Sequence, residues 1–285
     1  HDEILVVGLG SGVTAGAALQ SAAQRVTVVE LEPAVIEASR LFDAQSHAPL
    51  DDPRLELLED DARHILVASE ATYDVIISEP SHPWISGVAN LFTQDFFGLA
   101  AKRLRKDGLF VQWLQTYQIS PEIFRSILAT FQAVFPEVFI FRSLGSDLIL
   151  VGSRSPLQLD LSELEQRWRQ PLVQKELWRI GFPRPEALLA HFQIGPADVR
   201  TMAAGAPLNT DDNMRVEFHV PVYVLQSEQE LSNTILGELA HTPVETVLRD
   251  PDRLLRRRDS LHALVASLDA RHWPSERYRA LLLGP

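Results

Sequence analysis

Three glycines and four carboxylates, spread over residues 8–79, are the side chains of this sequence best placed to do chemistry. Gly8-Leu9-Gly10-Ser11-Gly12 closes an apolar run at 3–7 and opens an Ala-rich stretch at 13–23. Glycines at such a strand-to-helix turn let a ligand approach the backbone, and the helix N-terminus adds N–H donors. Glu30 ends a second β-branched run, 22 residues after Gly8, where a carboxylate can accept both hydroxyls of a ribose. Asp61-Ala62 follows a third run. A carboxylate there can accept from the amino group of a base, with a small neighbour leaving room for the ring. Asp60 is the alternative acceptor, or the N-cap of the helix that follows. The fourth run ends in Ser78-Glu79-Pro80-Ser81-His82-Pro83-Trp84. Glu79 is there the candidate general base, and His82 a second proton carrier or a substrate contact. Pro80 and Pro83 stiffen the loop, and Trp84 offers an apolar or cation–π wall.

These residues need a scaffold that gathers strand ends. Strands are expected at 3–7, 25–30, 55–58, 73–78 and 108–113, alternating with helices at 13–23, 34–42, 62–69, 93–104 and 121–135. Segments 138–142 and 147–152 read as a closing hairpin. That alternation predicts an α/β, Rossmann-like, doubly wound parallel sheet. Right-handed crossovers then bring the ends of strands one, two and four to one crevice. Past residue 156 the pattern turns helical, near 161–179 and 185–192, with a loop near 204–215. The expected division is a cofactor-binding and catalytic domain at 1–155, an extension packing near the crevice at 156–225, and a helical tail at 226–285. The basic run Arg253–Asp259 in that tail reads as a solvated helix face.

A chain of 285 residues suffices for one large domain or a core with an appendage. The net charge of −12 repels nucleic-acid phosphates and anionic membranes, so no nucleic-acid partner is expected. The absence of cysteine excludes disulfides, Cys-ligated zinc and thiol catalysis, and no metal is expected. No apolar run reaches bilayer-spanning length and no signal peptide is visible. The expected location is cytoplasmic, either as a free protein or as the cytoplasmic domain of a membrane protein. His1 stands at the threshold of a strand, which reads as a fragment whose N-terminal neighbour has been removed.

The dinucleotide fingerprint G-x-G-x-x-G needs a glycine where this chain has Val13. The G-x-G-x-G spacing instead resembles class I S-adenosylmethionine-dependent enzymes. Further stretches sharpen the likeness: Asp51-Asp52-Pro53-Arg54, Glu59-Asp60-Asp61-Ala62, Tyr73-Asp74-Val75-Ile76-Ile77, and Asn90-Leu91-Phe92-Thr93-Gln94-Asp95-Phe96-Phe97. In order and spacing they resemble the spermidine synthase family over roughly residues 3–153. The form of the 78–84 loop, with Asn209-Thr210-Asp211-Asp212 followed by Glu217-Phe218, looks most like spermidine-synthase-like domains fused to membrane segments in bacteria.

The resemblance implies a class I S-adenosylmethionine-dependent transferase fold with a helical C-terminal extension. It implies aminopropyl transfer from decarboxylated S-adenosylmethionine to a small-molecule amine. It further implies a homodimer, and a β-hairpin or membrane portion N-terminal to this chain. Residue by residue, Glu30 matches the ribose-binding carboxylate, Asp61 the adenine contact, Gln112 the glutamine lining the pocket, and Glu79 the catalytic aspartate with one extra methylene. His82 replaces the second acid of the family's Asp-x-x-Asp loop. Ser11 replaces the aspartate that holds the aminopropyl ammonium, and suits a cofactor that keeps its own carboxylate. Two other readings are therefore carried: a small-molecule methyltransferase using S-adenosylmethionine, and a non-catalytic domain of a membrane protein that senses a nucleoside or polyamine. Asp211 and Asp212 would restore acidic contacts if their loop folds back over the crevice; otherwise they form a turn or cap.

Overall fold

The β-branched runs pair into one sheet. In the computed structural model, which describes residues 2–255 except 84, 86, 144, 183, 190, 220–227, 240 and 241, five strands are parallel. They are β1 (Asp2–Val7), β2 (Ala23–Glu30), β3 (Leu55–Glu59), β4 (Tyr73–Ser78) and β5 (Leu104–Gln115). The hairpin of β6 (Glu137–Arg142) and β7 (Asp147–Ser153) is antiparallel, and β8 (Phe192–Ile194) joins β6. The order is β3-β2-β1-β4-β5-β7-β6-β8, so β7 lies between β5 and β6. This is the doubly wound α/β class.

Alternate residues of each strand face opposite sides. On one side Ile4, Val6, Val26 and Val28 pack against Ala15 and Leu19 of α1 (Val13–Leu19), with α2 (Pro33–Ser39) alongside. On the other, Leu5, Val7, Ile76, Phe110, Leu114, Leu148 and Leu150 build the larger core under α4 (Ala62–Ala68), α5 (Gln94–Arg103) and α6 (Pro121–Val134). Rings of Phe97, Phe110, Phe131 and Phe135 stack and cross there at 5.1–6.4 Å. The α1 side is held close by Gly16, where a Cβ would lie 1.7 Å from the carbonyl oxygen of Ser46 on α3 (Asp43–Ser46). Helix starts follow side-chain caps, with Asp61, Thr93 and Ser120 accepting backbone N–H groups at the heads of α4, α5 and α6.

Beyond residue 156 the structure departs from the expected elements. The helix expected at 161–179 divides into α7 (Leu161–Trp168) and α8 (Pro171–Arg179), because Pro171 cannot continue a helix but suits the start of one. The helix expected at 185–192 shortens to α9 (Glu186–Leu189), since Phe192-Gln193-Ile194 adds the eighth strand. Phe192 wins that contest by packing on Phe139 and Phe141, at 5.5 and 5.6 Å. β5 runs two residues past its expected end, to Gln115. The chain continues through α10 (Pro196–Ala203), α11 (Arg215–His219), α12 (Glu228–Glu238) and α13 (Pro251–Leu255). Ile194, Val199, Val216, Ile235 and Leu239 from this region all enter the larger core. Of the helical tail expected at 226–285, residues 256–285 lie outside the described residues. Among the described residues no helix is long and apolar enough to cross a membrane.

Candidate active site

The glycine loop is shaped by its backbone. Gly8, Gly10 and Gly12 all have positive φ, at 90°, 53° and 77°. Gly8 N–H donates to the Val29 carbonyl at 2.8 Å, fixing the loop to the end of β2, and Gly12 N–H donates to the Leu9 carbonyl at 2.8 Å. Gly10 is left exposed and Ser11 half-buried beside it.

Glu30 is the anchor of this loop. The residue is 9% exposed, with Oε2 accepting from Leu9 N–H at 2.8 Å and Oε1 from Glu32 N–H at 3.0 Å. Each oxygen keeps a further lone pair, so the same group can shape the loop and accept ribose hydroxyls. Glu30→Gln removes the charge and turns an NH2 toward a backbone N–H. Hydrogen bonds to charged groups are worth about 1.5–3 kcal/mol. Any ligand whose ribose this carboxylate holds is therefore expected to bind about 10- to 100-fold more weakly, as titration calorimetry would show.

The carbonyl of Glu30 accepts from Asp60 N–H at 3.1 Å, which brings the 60–62 segment to the same edge. Asp61 is the N-cap of α4, accepting from Arg63 N–H at 2.7 Å, and Ala62 is buried beside it. The capping role open to Asp60 thus falls to its neighbour, which directly precedes the helix. Asp60 pairs instead with His64 Nδ1 at 3.0 Å and accepts from Asp61 N–H at 2.7 Å. Those bonds, His64 first, hold its carboxyl below the usual range and raise the His64 imidazole.

Glu79 leaves β4 toward the glycine loop. Its Oε2 accepts from Thr14 Oγ1 at 2.5 Å, so the exposed carboxylate is fixed above the first turn of α1. Gly8 is demanded by its positive φ and not by space, since a Cβ there would sit 3.6 Å from the Glu79 carbonyl oxygen, an ordinary contact. His82 lies edge-on to the ring of Tyr117, with centroids 6.0 Å apart. Ser78 and Gln112 are register partners on β4 and β5, and both are fully buried. Gln112 Nε2 donates to the Trp113 carbonyl at 3.1 Å, whereas Gln112 Oε1 and Ser78 Oγ have no partner among the described residues. Trp84 lies outside the described residues. Among those described, no cluster of three His, Asp or Glu side chains is arranged to hold a metal ion.

The Asn209–Asp212 stretch folds back, but onto α4 and α5. Arg63, which follows Ala62, donates from both Nη atoms to the Asp211 carboxylate, one bond measuring 3.0 Å, and also to the Asn90 carbonyl at 2.8 Å. Asp211 N–H donates to Asp95 Oδ2 at 2.9 Å. The Asp211 carboxylate therefore serves the Arg63 clamp beside the 61–62 segment, and both Asp211 and Asp212 are exposed. Sequence reasoning missed Arg63, although a cation directly after Asp61-Ala62 was its visible signal. Burial is the largest single influence on Asp211 and pushes its carboxyl up, yet hydrogen bonds from Arg63 and Thr93 with the Arg63 charge outweigh it, leaving it low. A lowered carboxyl stabilises the fold above its unfolded value, about 3.9. That contribution is lost as pH falls below that value through the folded one. The melting temperature is expected to drop between about pH 5 and 3, and to drop less in Asp211→Asn, as differential scanning fluorimetry would show.

With this geometry in place, comparison with known proteins gives the lineage. Residues 1–146 match the family model described as the spermine/spermidine synthase domain. The chain belongs to that family. Among its relatives, the polyamine aminopropyltransferase of Bacillus subtilis is 32% identical over 136 residues, 47% of this chain and 49% of that protein. The polyamine aminopropyltransferase of Korarchaeum cryptofilum is 29% identical over 231 residues, 74% of this chain and 67% of that one. This family member thus spans about half the length of the first relative and about two thirds of the second. The spermidine synthase of Thermotoga maritima shares the fold, with a TM-score of 0.53 at 22% identity over 70% of this chain and 68% of its own. So does a spermidine synthase in complex with the transition-state analogue AdoDATO, at 0.51 and 21%, over 70% and 67%.

Proposed function

We propose that this protein transfers the aminopropyl group of decarboxylated S-adenosylmethionine to a small-molecule amine. The observation that carries the reading is the Thr14–Glu79 hydrogen bond, which holds a carboxylate at the lip of the loop that Glu30 anchors. Glu30 and Asp61 receive the ribose and adenine. Glu79 takes a proton from the attacking ammonium, and the freed amine nitrogen bonds to the propyl carbon beside sulfur. The carbon–sulfur bond breaks with its electron pair going to sulfur, and 5'-methylthioadenosine leaves. Alignment of nitrogen, carbon and sulfur supplies much of the acceleration, and proton removal the rest. The names of the Bacillus and Korarchaeum relatives, and the AdoDATO complex of a structural neighbour, support the same chemistry. We read residues 1–155 as the catalytic unit, 156–225 as an extension beside the crevice and 226–285 as a tail. The setting we infer is cytoplasmic, with a second copy of the chain as the expected partner.

Ser11 supports methyl transfer as the competing reading, because a hydroxyl tolerates the carboxylate of intact S-adenosylmethionine. Titration calorimetry with both sulfonium ligands separates the two. At least a tenfold preference for the decarboxylated form is expected; equal affinity, or preference for S-adenosylmethionine, would reject aminopropyl transfer.

A further inference from the structure

A di- or polyamine brings a second ammonium to the site, while the glycine loop and the loop after β4 present Ser11 and His82 beside Glu79 rather than a further acid. We propose that Asp147 and Gln115 form a subsite for the distal ammonium of a linear diamine or polyamine; this rests on the function proposed above.

The topology brings them to the right edge. β7 runs antiparallel to β5, so its first residue, Asp147, stands directly opposite the last residue of β5, Gln115. Phe110, Leu114, Leu148 and Leu150 all enter the core under α5 and α6. By strand alternation, Trp113, Gln115, Asp147 and Ile149 face the other side. That is the α1 side, where Thr14 holds Glu79. β4 and β7 are two strand spacings apart, ~10 Å, and by register Asp147 lies two residues, ~7 Å, farther along than Glu79, so the two backbones are ~12 Å apart. A four-methylene diamine with a hydrogen bond at each end spans about that distance. Between the two acids, Ile77, Trp113 and Ile149 are half-buried and give methylenes an apolar wall.

Two observations point to a ligand with donors and positive charge. Gln115 is fully buried, and neither its Oε1 nor its Nε2 has a partner among the described residues. Buried amides are ordinarily hydrogen-bonded, and leaving one unmatched costs stability. Asp147 accepts a hydrogen bond from the Trp113 side chain and has no cationic partner among the described residues. Burial pushes its carboxyl up, as expected for a carboxylate withdrawn from water without a counter-charge. An ammonium supplies both the charge for Asp147 and a donor for Gln115 Oε1.

The test is calorimetric titration of 1,4-diaminobutane and butylamine into protein loaded with 5'-methylthioadenosine. Asp147→Asn is expected to weaken the diamine at least tenfold while leaving butylamine and 5'-methylthioadenosine unchanged. Gln115→Leu keeps the volume, removes the unmatched amide, and is expected to weaken the diamine with no loss of melting temperature. Wild-type affinity for the diamine in both variants overturns the subsite. Transfer to butylamine from decarboxylated S-adenosylmethionine reports the proposed function separately. Transfer with unchanged diamine binding in the variants overturns the subsite alone. Loss of diamine binding in the variants, with no transfer by the wild type, upholds the subsite and overturns the transfer reading.

Discussion

Glu79→Gln is expected to lower kcat for aminopropyl transfer about 100- to 10,000-fold, the range for loss of a positioned general base. The substitution isolates proton transfer. Glutamine can still accept from Thr14 Oγ1 and keeps nearly the same shape, so the 78–84 loop has no reason to move. The bond lost is the one to the proton that the attacking ammonium must release. On the proposed reading, affinity for 5'-methylthioadenosine rests on Glu30 and the 60–62 segment, and it is expected to stay within about threefold. Steady-state transfer with nucleoside titration alongside checks both halves. A variant that turned over at the wild-type rate would remove Glu79 from the chemistry.

Asn209→Ala is expected to produce the largest loss of stability, about 2–5 kcal/mol. Asn209 is fully buried and joins three parts of the chain. Its Nδ2 donates to the Phe92 carbonyl at 3.0 Å, and its Oδ1 accepts from Val216 N–H at 3.1 Å. Its backbone donates to Thr130 Oγ1 and accepts from Gln94 N–H, both at 2.8 Å. Alanine keeps the backbone bonds but strands a carbonyl and an N–H belonging to fully buried residues, each worth about 1–3 kcal/mol when left unmet. Calorimetry is expected to show a fall of roughly 3–8 °C. Asp212→Ala, in the same turn but exposed, is expected to change stability by less than about 0.5 kcal/mol. The turn that Asn209 ties down carries Asp211, so nucleoside affinity should fall with stability as the Arg63 clamp loosens. An Asn209→Ala protein of unchanged stability but altered amine KM would instead make Asn209 a substrate contact.

The sheet was legible because its signals are local. β-branched runs, Ala-rich stretches and Pro33 mark the first five strands and the helices between them within a window of a few residues. The glycine loop was legible for the same reason, since its demand for positive φ acts on the backbone itself. The placement of Glu30 and Glu79 beside the glycine loop was legible because a doubly wound topology fixes which strand ends meet. What escaped depended on partners distant in sequence. β8 is three residues long and exists through the contact of Phe192 with Phe139 and Phe141. Arg63 meets Asp211 across 148 positions. Thr14 reads as an ordinary helix residue until Glu79 is placed 2.5 Å away. Gln115 and Asp147 become a pair only once β7 is known to lie beside β5, which the order of elements along the chain does not dictate.

The central claim is that the crevice moves an aminopropyl group, and a single-turnover reaction tests it most directly. Protein in excess is mixed with decarboxylated S-adenosylmethionine and 1,4-diaminobutane, and the products are followed by mass spectrometry. The account predicts 5'-methylthioadenosine and the aminopropylated amine appearing together in equal amounts, both suppressed in Glu79→Gln. Neither product forming, or S-adenosylhomocysteine and a methylated amine forming when S-adenosylmethionine is supplied instead, would contradict it.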